Sequence, residues 1–286
     1  MFDFYKINKD KILNLSLKKI YTYLFLSDLK ADGYFAYIKN QVVEFILFNY
    51  PDSNKIEIDK KLNLVLSQQG DYKDIRSQLN NIFDPDFDND IDFHYKYNEK
   101  LIFFKFISYS INKKLIKNKY SNIYDFAIDE LNEPLNILEI GGGLPHGFLY
   151  NIWKRDKKFF TEFNYIDADL LHAKFVKWYC NKIDINHEIN LFLPSETPTL
   201  KNKNYNFVFA KDIFEHLSDP SSLIDNLIKI SNEKKILLCL DLEHKGQKTV
   251  QHINPNLPIF KEKLIKNNFK VIKKFNDIHV WKKLDY

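Results

Sequence analysis

The residues of this chain whose types and spacing can do chemistry are two acids and a run of glycines. In Asn136-Ile137-Leu138-Glu139-Ile140-Gly141-Gly142-Gly143-Leu144-Pro145-His146-Gly147, a short apolar run carries Glu139 near its end and opens into the glycine cluster. Glycine adopts positive φ without strain and has no Cβ, so a ligand can approach the backbone closely. The segment that follows, Phe148-Leu149-Tyr150-Asn151-Ile152-Trp153-Lys154, reads as a helix start. Its free N–H groups and the positive end of its dipole face whatever occupies the loop. Strand, glycine loop and helix form a nucleotide-type site, although the pattern alone is weakly specific. A second acid strengthens it: Asp167 ends the next apolar run, Phe163-Asn164-Tyr165-Ile166-Asp167.

Positioning these groups requires a particular scaffold. From residue 135 onward, apolar runs alternate with amphipathic segments, which predicts a parallel sheet with covering helices. Strands are expected at 136–140, 163–167, 189–193, 205–210 and 235–242. Helices are expected from 147, at 170–181, 213–217, 220–230 and 258–267. A closing hairpin is expected at 270–274 and 279–283, with Asn276-Asp277 at its turn. The fold class is therefore α/β: Rossmann-like, doubly wound and mostly parallel, with a final antiparallel strand. Residues 1–130 read differently. Their apolar residues recur at three and four spacing, including 20–29, 34–49, 101–115 and 123–131, and glycine loops are almost lacking. This predicts a mainly helical N-terminal region that packs on or lids a domain spanning 131–286. The acidic stretch Asp84-Pro85-Asp86-Phe87-Asp88-Asn89-Asp90 lacks the glycine and final glutamate of a calcium loop and reads as a solvated turn.

Composition excludes several classes. The 286 residues hold 42 basic and 38 acidic side chains, a balance of +4 that gives no electrostatic footprint for nucleic acid. Lys113-Lys114-Leu115-Ile116-Lys117 accordingly reads as a solvated helix face. The two cysteines, Cys180 and Cys239, are far apart and match no metal spacing, so a reducing compartment is expected. Met1-Phe2-Asp3-Phe4-Tyr5-Lys6 lacks the pattern of a signal peptide, and no apolar run is long enough to span a membrane. A cytoplasmic protein is the expectation, with no membrane or nucleic-acid partner and the oligomeric state open.

Over about residues 135–286 the chain resembles the class I S-adenosylmethionine-dependent methyltransferases. Leu138-Glu139-Ile140-Gly141-Gly142-Gly143 matches their apolar strand ending acid-x-Gly-x-Gly, and Asp167 matches the acid ending the second strand. Asn206-Phe207-Val208-Phe209-Ala210-Lys211-Asp212-Ile213-Phe214-Glu215-His216-Leu217-Ser218-Asp219-Pro220 looks like their fourth strand and the helix entry after it. A dinucleotide site would need G-x-G-x-x-G, but His146 stands at the third glycine position. The resemblance implies S-adenosylmethionine as cofactor. It implies that Glu139 holds the ammonium-bearing end and that Gly141, Gly142 and Gly143 admit the methionine moiety. Asp167 would accept the ribose hydroxyls, a carboxylate having two oxygens for two neighbouring donors. Ala168 would lie near the ribose or adenine, and Ala210 and Lys211 would present backbone groups to the cofactor. The loop around 193–196 would border the adenine. Asp169 fits better as an N-cap of the second helix.

Pro145 and His146 depart from the family pattern. His146 is a candidate to face the cofactor carboxylate or the substrate; a helix-start histidine without that role fits equally well. Methyl transfer to a hydroxyl benefits from a base. His244 and His252, in the polar stretch after the fifth strand, are the candidates, and a surface role is as plausible for each. Asp241 and Glu243 alone are too few to define a metal site. The expected activity is methyl transfer to a small-molecule acceptor, foremost a hydroxyl oxygen of a sugar or other metabolite. A peptide or protein methyltransferase and a non-catalytic methyltransferase-like subunit are the alternatives.

Overall fold

A computed structural model describes residues 29–49, 121–141, 143–192, 195–201, 203–231, 235–243 and 256–284. Residues 20–28 and 101–115 of the expected helical segments and the acidic loop at 84–90 lie outside them. The helices are α1 (Leu29–Asn49), α2 (Ser121–Leu131), α3 (His146–Lys154), α4 (Leu170–Ile183), α5 (Pro220–Ser231) and α6 (Ile259–Lys266). The strands are β1 (Leu135–Ile140), β2 (Phe160–Asp167), β3 (Asn186–Leu191), β4 (Phe207–Ala210), β5 (Leu237–Asp241), β6 (Phe269–Phe275) and β7 (Ile278–Lys283). Short 3-10 turns occupy Lys157–Phe159 and Phe214–His216.

The seven strands form one sheet in the order β3-β2-β1-β4-β5-β7-β6. The first five are mutually parallel; β7 runs antiparallel to both β5 and β6. This is the α/β, mostly parallel and doubly wound sheet that the alternation of apolar runs predicts, with its antiparallel end. The chain moves outward from β1 to β3, then returns to place β4 on the other side of β1. Strand order reverses between β1 and β4. At such a switch point the connections diverge to opposite faces and leave a crevice at the carboxyl ends of the strands.

Both faces of the sheet are covered, which is why β1, β4 and β5 read as unbroken apolar runs. Alternate residues feed opposite layers. Ile137, Phe207, Phe209, Leu237 and Cys239 join the cluster containing Tyr34, Tyr124, Phe148, Phe163 and Phe175, under α1 to α4. Leu138, Ile140, Val208, Ala210, Leu238 and Leu240 join the cluster containing Leu223, Leu227 and Leu264, under α5 and α6. Thus α1 and α2 share a core with the sheet. Phe45 of α1 packs edge-on against Phe175 of α4 at 5.4 Å between ring centroids, and the Tyr37 and Tyr179 hydroxyls meet at 2.5 Å.

Several element ends differ from the expected ones. β3 begins at Asn186 and ends at Leu191, because its ladder with β2 runs from Asn186 opposite Glu162 to Leu191 opposite Asp167. Its polar residues Asn186, His187 and Glu188 suit a half-exposed edge strand, where polar side chains discourage further pairing. β4 starts at Phe207, and the Asn206 side chain accepts the Asn136 N–H at 2.8 Å just before the ladder. The hairpin turns at Asn276, whose φ of 54° lies where asparagine is tolerated. Among the described residues, no helix is long and apolar enough to cross a membrane.

Phe163 is fully buried and stacks on Phe148 at 3.8 Å with an interplanar angle of 9°, joining β2 to α3. Phe163→Ala should therefore lower unfolding free energy by about 3–5 kcal/mol. Phe48→Ala, at a 70% exposed position, should stay within about 0.5 kcal/mol. Urea unfolding of both variants is the check, and equal effects would contradict this packing.

Candidate functional site

The site is assembled where β1 and β2 end. After Ile140 the chain turns through Gly141, at φ 69°, and its N–H donates to the Ile166 carbonyl at 2.7 Å. A Cβ at Gly141 would lie 2.8 Å from the Ile213 side chain, so both its backbone angle and the tight packing demand glycine here. Gly143, at φ 72°, directs its N–H to Asp167 Oδ2 at 3.1 Å. Gly142 lies outside the described residues. Pro145 then leads into α3 at His146 without a side-chain cap.

Asp167 ends β2 and is 5% exposed. Besides Gly143, its Oδ2 lies 2.6 Å from the Tyr165 hydroxyl, and its Oδ1 accepts the Asp169 N–H at 2.8 Å. The Tyr165 hydroxyl also lies 2.6 Å from the Gly143 carbonyl, so its single proton serves one acceptor at a time. The protein itself thus engages up to three of the roughly four acceptor positions of this carboxylate. Burial raises the Asp167 pKa foremost. His172 opposes that shift, Asp169 adds to it, and the Tyr165 and Asp169 hydrogen bonds lower it. Asp169 caps α4, accepting from the Leu171 and His172 N–H groups at 2.9 and 3.2 Å. Ala168 lies between the two acids at the open end of β2.

Glu139 lies near the end of β1, 4% exposed, beside the first glycine. Its Oε2 accepts the Tyr124 hydroxyl at 2.8 Å. Burial pushes its pKa up to about 8; the phenol pulls it down and Asp167 adds to the rise. Among the described residues neither Glu139 nor Asp167 forms an ion pair within 4 Å. Phenols and amides solvate both carboxylates, and neither kind of donor neutralises them. Two buried acids beside a glycine turn make a negative, donor-seeking crevice. Such an acceptor set fits an ammonium group and a ribose diol.

The remaining predicted residues lie around this crevice or outside the described chain. Ala210 ends β4, fully buried, paired with Ile140 of β1 and Leu240 of β5. Lys211 follows it, with Nζ 2.5 Å from Asp212 Oδ2. Asp241 at the end of β5 is driven up to about 6, by burial first and then by the Asp212 and Glu215 charges. His146 is 6% exposed; its Nδ1 lies 3.3 Å from the Tyr34 hydroxyl of α1, and the same hydroxyl reaches its carbonyl at 3.4 Å. His244 and His252 lie outside the described residues, as do Leu193 and Pro194 of the expected adenine loop. No cluster of three or more His, Cys, Asp or Glu suited to a metal occurs among the described residues.

Three residues of the site escape a reading by motif: Tyr34, Tyr124 and Tyr165. Tyr165 was open to one signal, since it precedes Asp167 by two positions and the pleat sends both to one face. Nothing along the chain ties Tyr34 to His146 or Tyr124 to Glu139; only packing brings each pair together.

No protein-family model and no curated protein sequence matches this chain. Solved structures do. Mitomycin 7-O-methyltransferase MmcR is 11% identical, with 65% of this chain and 57% of that one covered and a TM-score of 0.44. A SAM-dependent methyltransferase from Aquifex aeolicus is 16% identical, with 56% and 88% covered and a TM-score of 0.37. The YcgJ protein of Bacillus subtilis is 12% identical, with 53% and 70% covered and a TM-score of 0.39. At these identities the likeness is one of fold.

The raised pKa of Glu139 has a consequence for stability. Its folded value of about 8 exceeds the ordinary 4.5. Its contribution is therefore fully present below pH 4.5 and is lost as pH rises through 8. Glu139→Gln removes the titration and keeps an acceptor for Tyr124. Thermal melts should show the variant gaining on the wild type between pH 5.5 and 9, by up to a few kcal/mol at about 1.4 kcal/mol per pKa unit. Parallel pH curves would contradict the burial of this charge.

Proposed function

We propose that this chain is an S-adenosylmethionine-dependent methyltransferase acting on a small molecule, at a hydroxyl oxygen of a sugar or other metabolite. The observation that carries the reading is the pairing of two buried carboxylates, Glu139 and Asp167, beside the Gly141 turn. They stand at the carboxyl ends of β1 and β2, next to the strand-order reversal. The mostly parallel sheet with its antiparallel end supports it as architecture.

S-adenosylmethionine, when bound, supplies a methyl group on a positively charged sulfur. Glu139 would bind the ammonium end of the cofactor, more strongly as its carboxyl ionises. Asp167 binds the ribose hydroxyls, exchanging part of its bonding to Gly143 and Tyr165 for them. Gly141, Gly142 and Gly143 let the methionine moiety lie against the backbone. Ala168, Ala210 and Lys211 border the ribose, adenine and methionine parts at the strand ends, and His146 faces the loop from the start of α3. Holding acceptor oxygen and methyl carbon in line supplies much of the rate. The bound cofactor would supply the methyl group to the acceptor oxygen, and His244 or His252 would take the acceptor proton. The helical region before residue 131 shapes the acceptor pocket.

Calorimetry with S-adenosylmethionine and S-adenosylhomocysteine tests the cofactor reading. Wild-type protein should bind both, and Asp167→Ala should weaken each by at least about tenfold. Absence of wild-type binding would overturn the enzyme reading in favour of a non-catalytic subunit. With an acceptor found by a cofactor-dependent methyl gain in metabolite mixtures, His244→Ala or His252→Ala should abolish the rise of rate with pH near neutrality. Unchanged profiles in both variants would remove them as bases, and methylation of peptides alone would replace the small-molecule assignment.

A further inference from the structure

We propose that Tyr124 is a positioning residue of the cofactor site, its hydroxyl favouring the ionised form of the Glu139 carboxyl and orienting it toward the cofactor ammonium. The inference rests on the cofactor reading above. It also extends the site into α2, ahead of the stretch that carries the methyltransferase resemblance.

The geometry leaves the phenol little freedom. Tyr124 is fully buried, with its ring edge-on to Phe207 at 4.9 Å and 64° and tilted over Phe209 at 6.2 Å and 49°. Both rings belong to β4, so the sheet itself sets the direction of the hydroxyl. That hydroxyl donates to Glu139 Oε2 at 2.8 Å, and Oε1 takes no hydrogen bond among the described residues. A phenylalanine would satisfy the packing alone. The hydroxyl adds a donor that favours the charged carboxylate. A buried carboxyl without such a donor becomes neutral, and a neutral acid is a poor partner for a cation.

Among the described residues, few groups face Glu139. Tyr124 comes from α2, Tyr34 from α1, and Tyr165 and Asp167 from β2. Burial drives all three phenols well above their ordinary range, so they stay neutral at working pH. The titration through about 8 therefore falls on Glu139, and Glu139→Gln removes it.

The test is calorimetric titration of the full chain with S-adenosylmethionine between pH 6 and 9. It compares wild type, Tyr124→Phe, Glu139→Gln and the double variant, with melting curves to verify folding. Wild-type affinity should rise with pH through about 8 as Glu139 ionises. Tyr124→Phe should bind roughly tenfold more weakly at pH 7, with the rise displaced to higher pH. Glu139→Gln should flatten the rise, and adding Tyr124→Phe to it should change affinity less than about twofold, since coupled residues are non-additive. If Tyr124→Phe does not fold, a fluorinated tyrosine at the same position, a stronger donor of nearly equal shape, should displace the rise to lower pH. Wild-type binding together with an unshifted profile in the phenylalanine or fluorinated variant, or additive effects in the double variant, would overturn the role of Tyr124. A wild type that binds no cofactor would overturn the cofactor reading, and this inference with it.

Discussion

The carboxylate of Asp167 ties together the three pieces of backbone on which the crevice depends. It accepts the Gly143 N–H from the loop after β1 and the Asp169 N–H from the residue that caps α4. One side chain thus registers strand, glycine loop and helix start against one another. The arrangement needs the loop to turn back sharply, and positive φ at Gly141 and Gly143 provides the turn. It also needs Gly141 to lack a side chain, because Ile213 after β4 already fills that space. The loop is therefore shaped from both neighbouring strands, and its conformation belongs to the sheet as much as to its own glycines.

Charge is held at this point against the preference of the fold. Burial disfavours both carboxylates; Asp167 makes ionisation of Glu139 harder, and Asp169 does the same to Asp167. An ordinary structural solution would be a lysine or arginine partner, as Lys203 provides for Glu162 and Glu188 elsewhere on the sheet. At Glu139 and Asp167 the partners are tyrosine hydroxyls and backbone amides. These favour a negative charge without neutralising it, and His172 opposes the rise only at Asp167.

The N-terminal helices enter this electrostatic arrangement directly. The Tyr34 hydroxyl of α1 meets His146 at the first turn of α3, and Tyr124 of α2 meets Glu139. The aromatic side chains that bury these helices on the sheet carry their hydroxyls into the crevice. Packing and site chemistry are served by the same residues.

The sequence by itself determined the sheet and the motif acids. Residues 135–140, 163–167 and 205–210 are apolar runs because both sheet faces are covered, and Glu139, Gly141, Gly143 and Asp167 stand out where those runs end. Periodicity placed helices over 220–230 and 258–267 to within a residue or two, because amphipathic spacing is a local property. The early start of β3 was invisible, since Asn186, His187 and Glu188 become strand only by pairing with β2. The tertiary structure alone decided which hydroxyls meet the acids. Tyr124 stands 15 positions from Glu139 and Tyr34 stands 112 from His146. Such contacts arise from the packing of helices on a sheet, and no spacing along the chain encodes them.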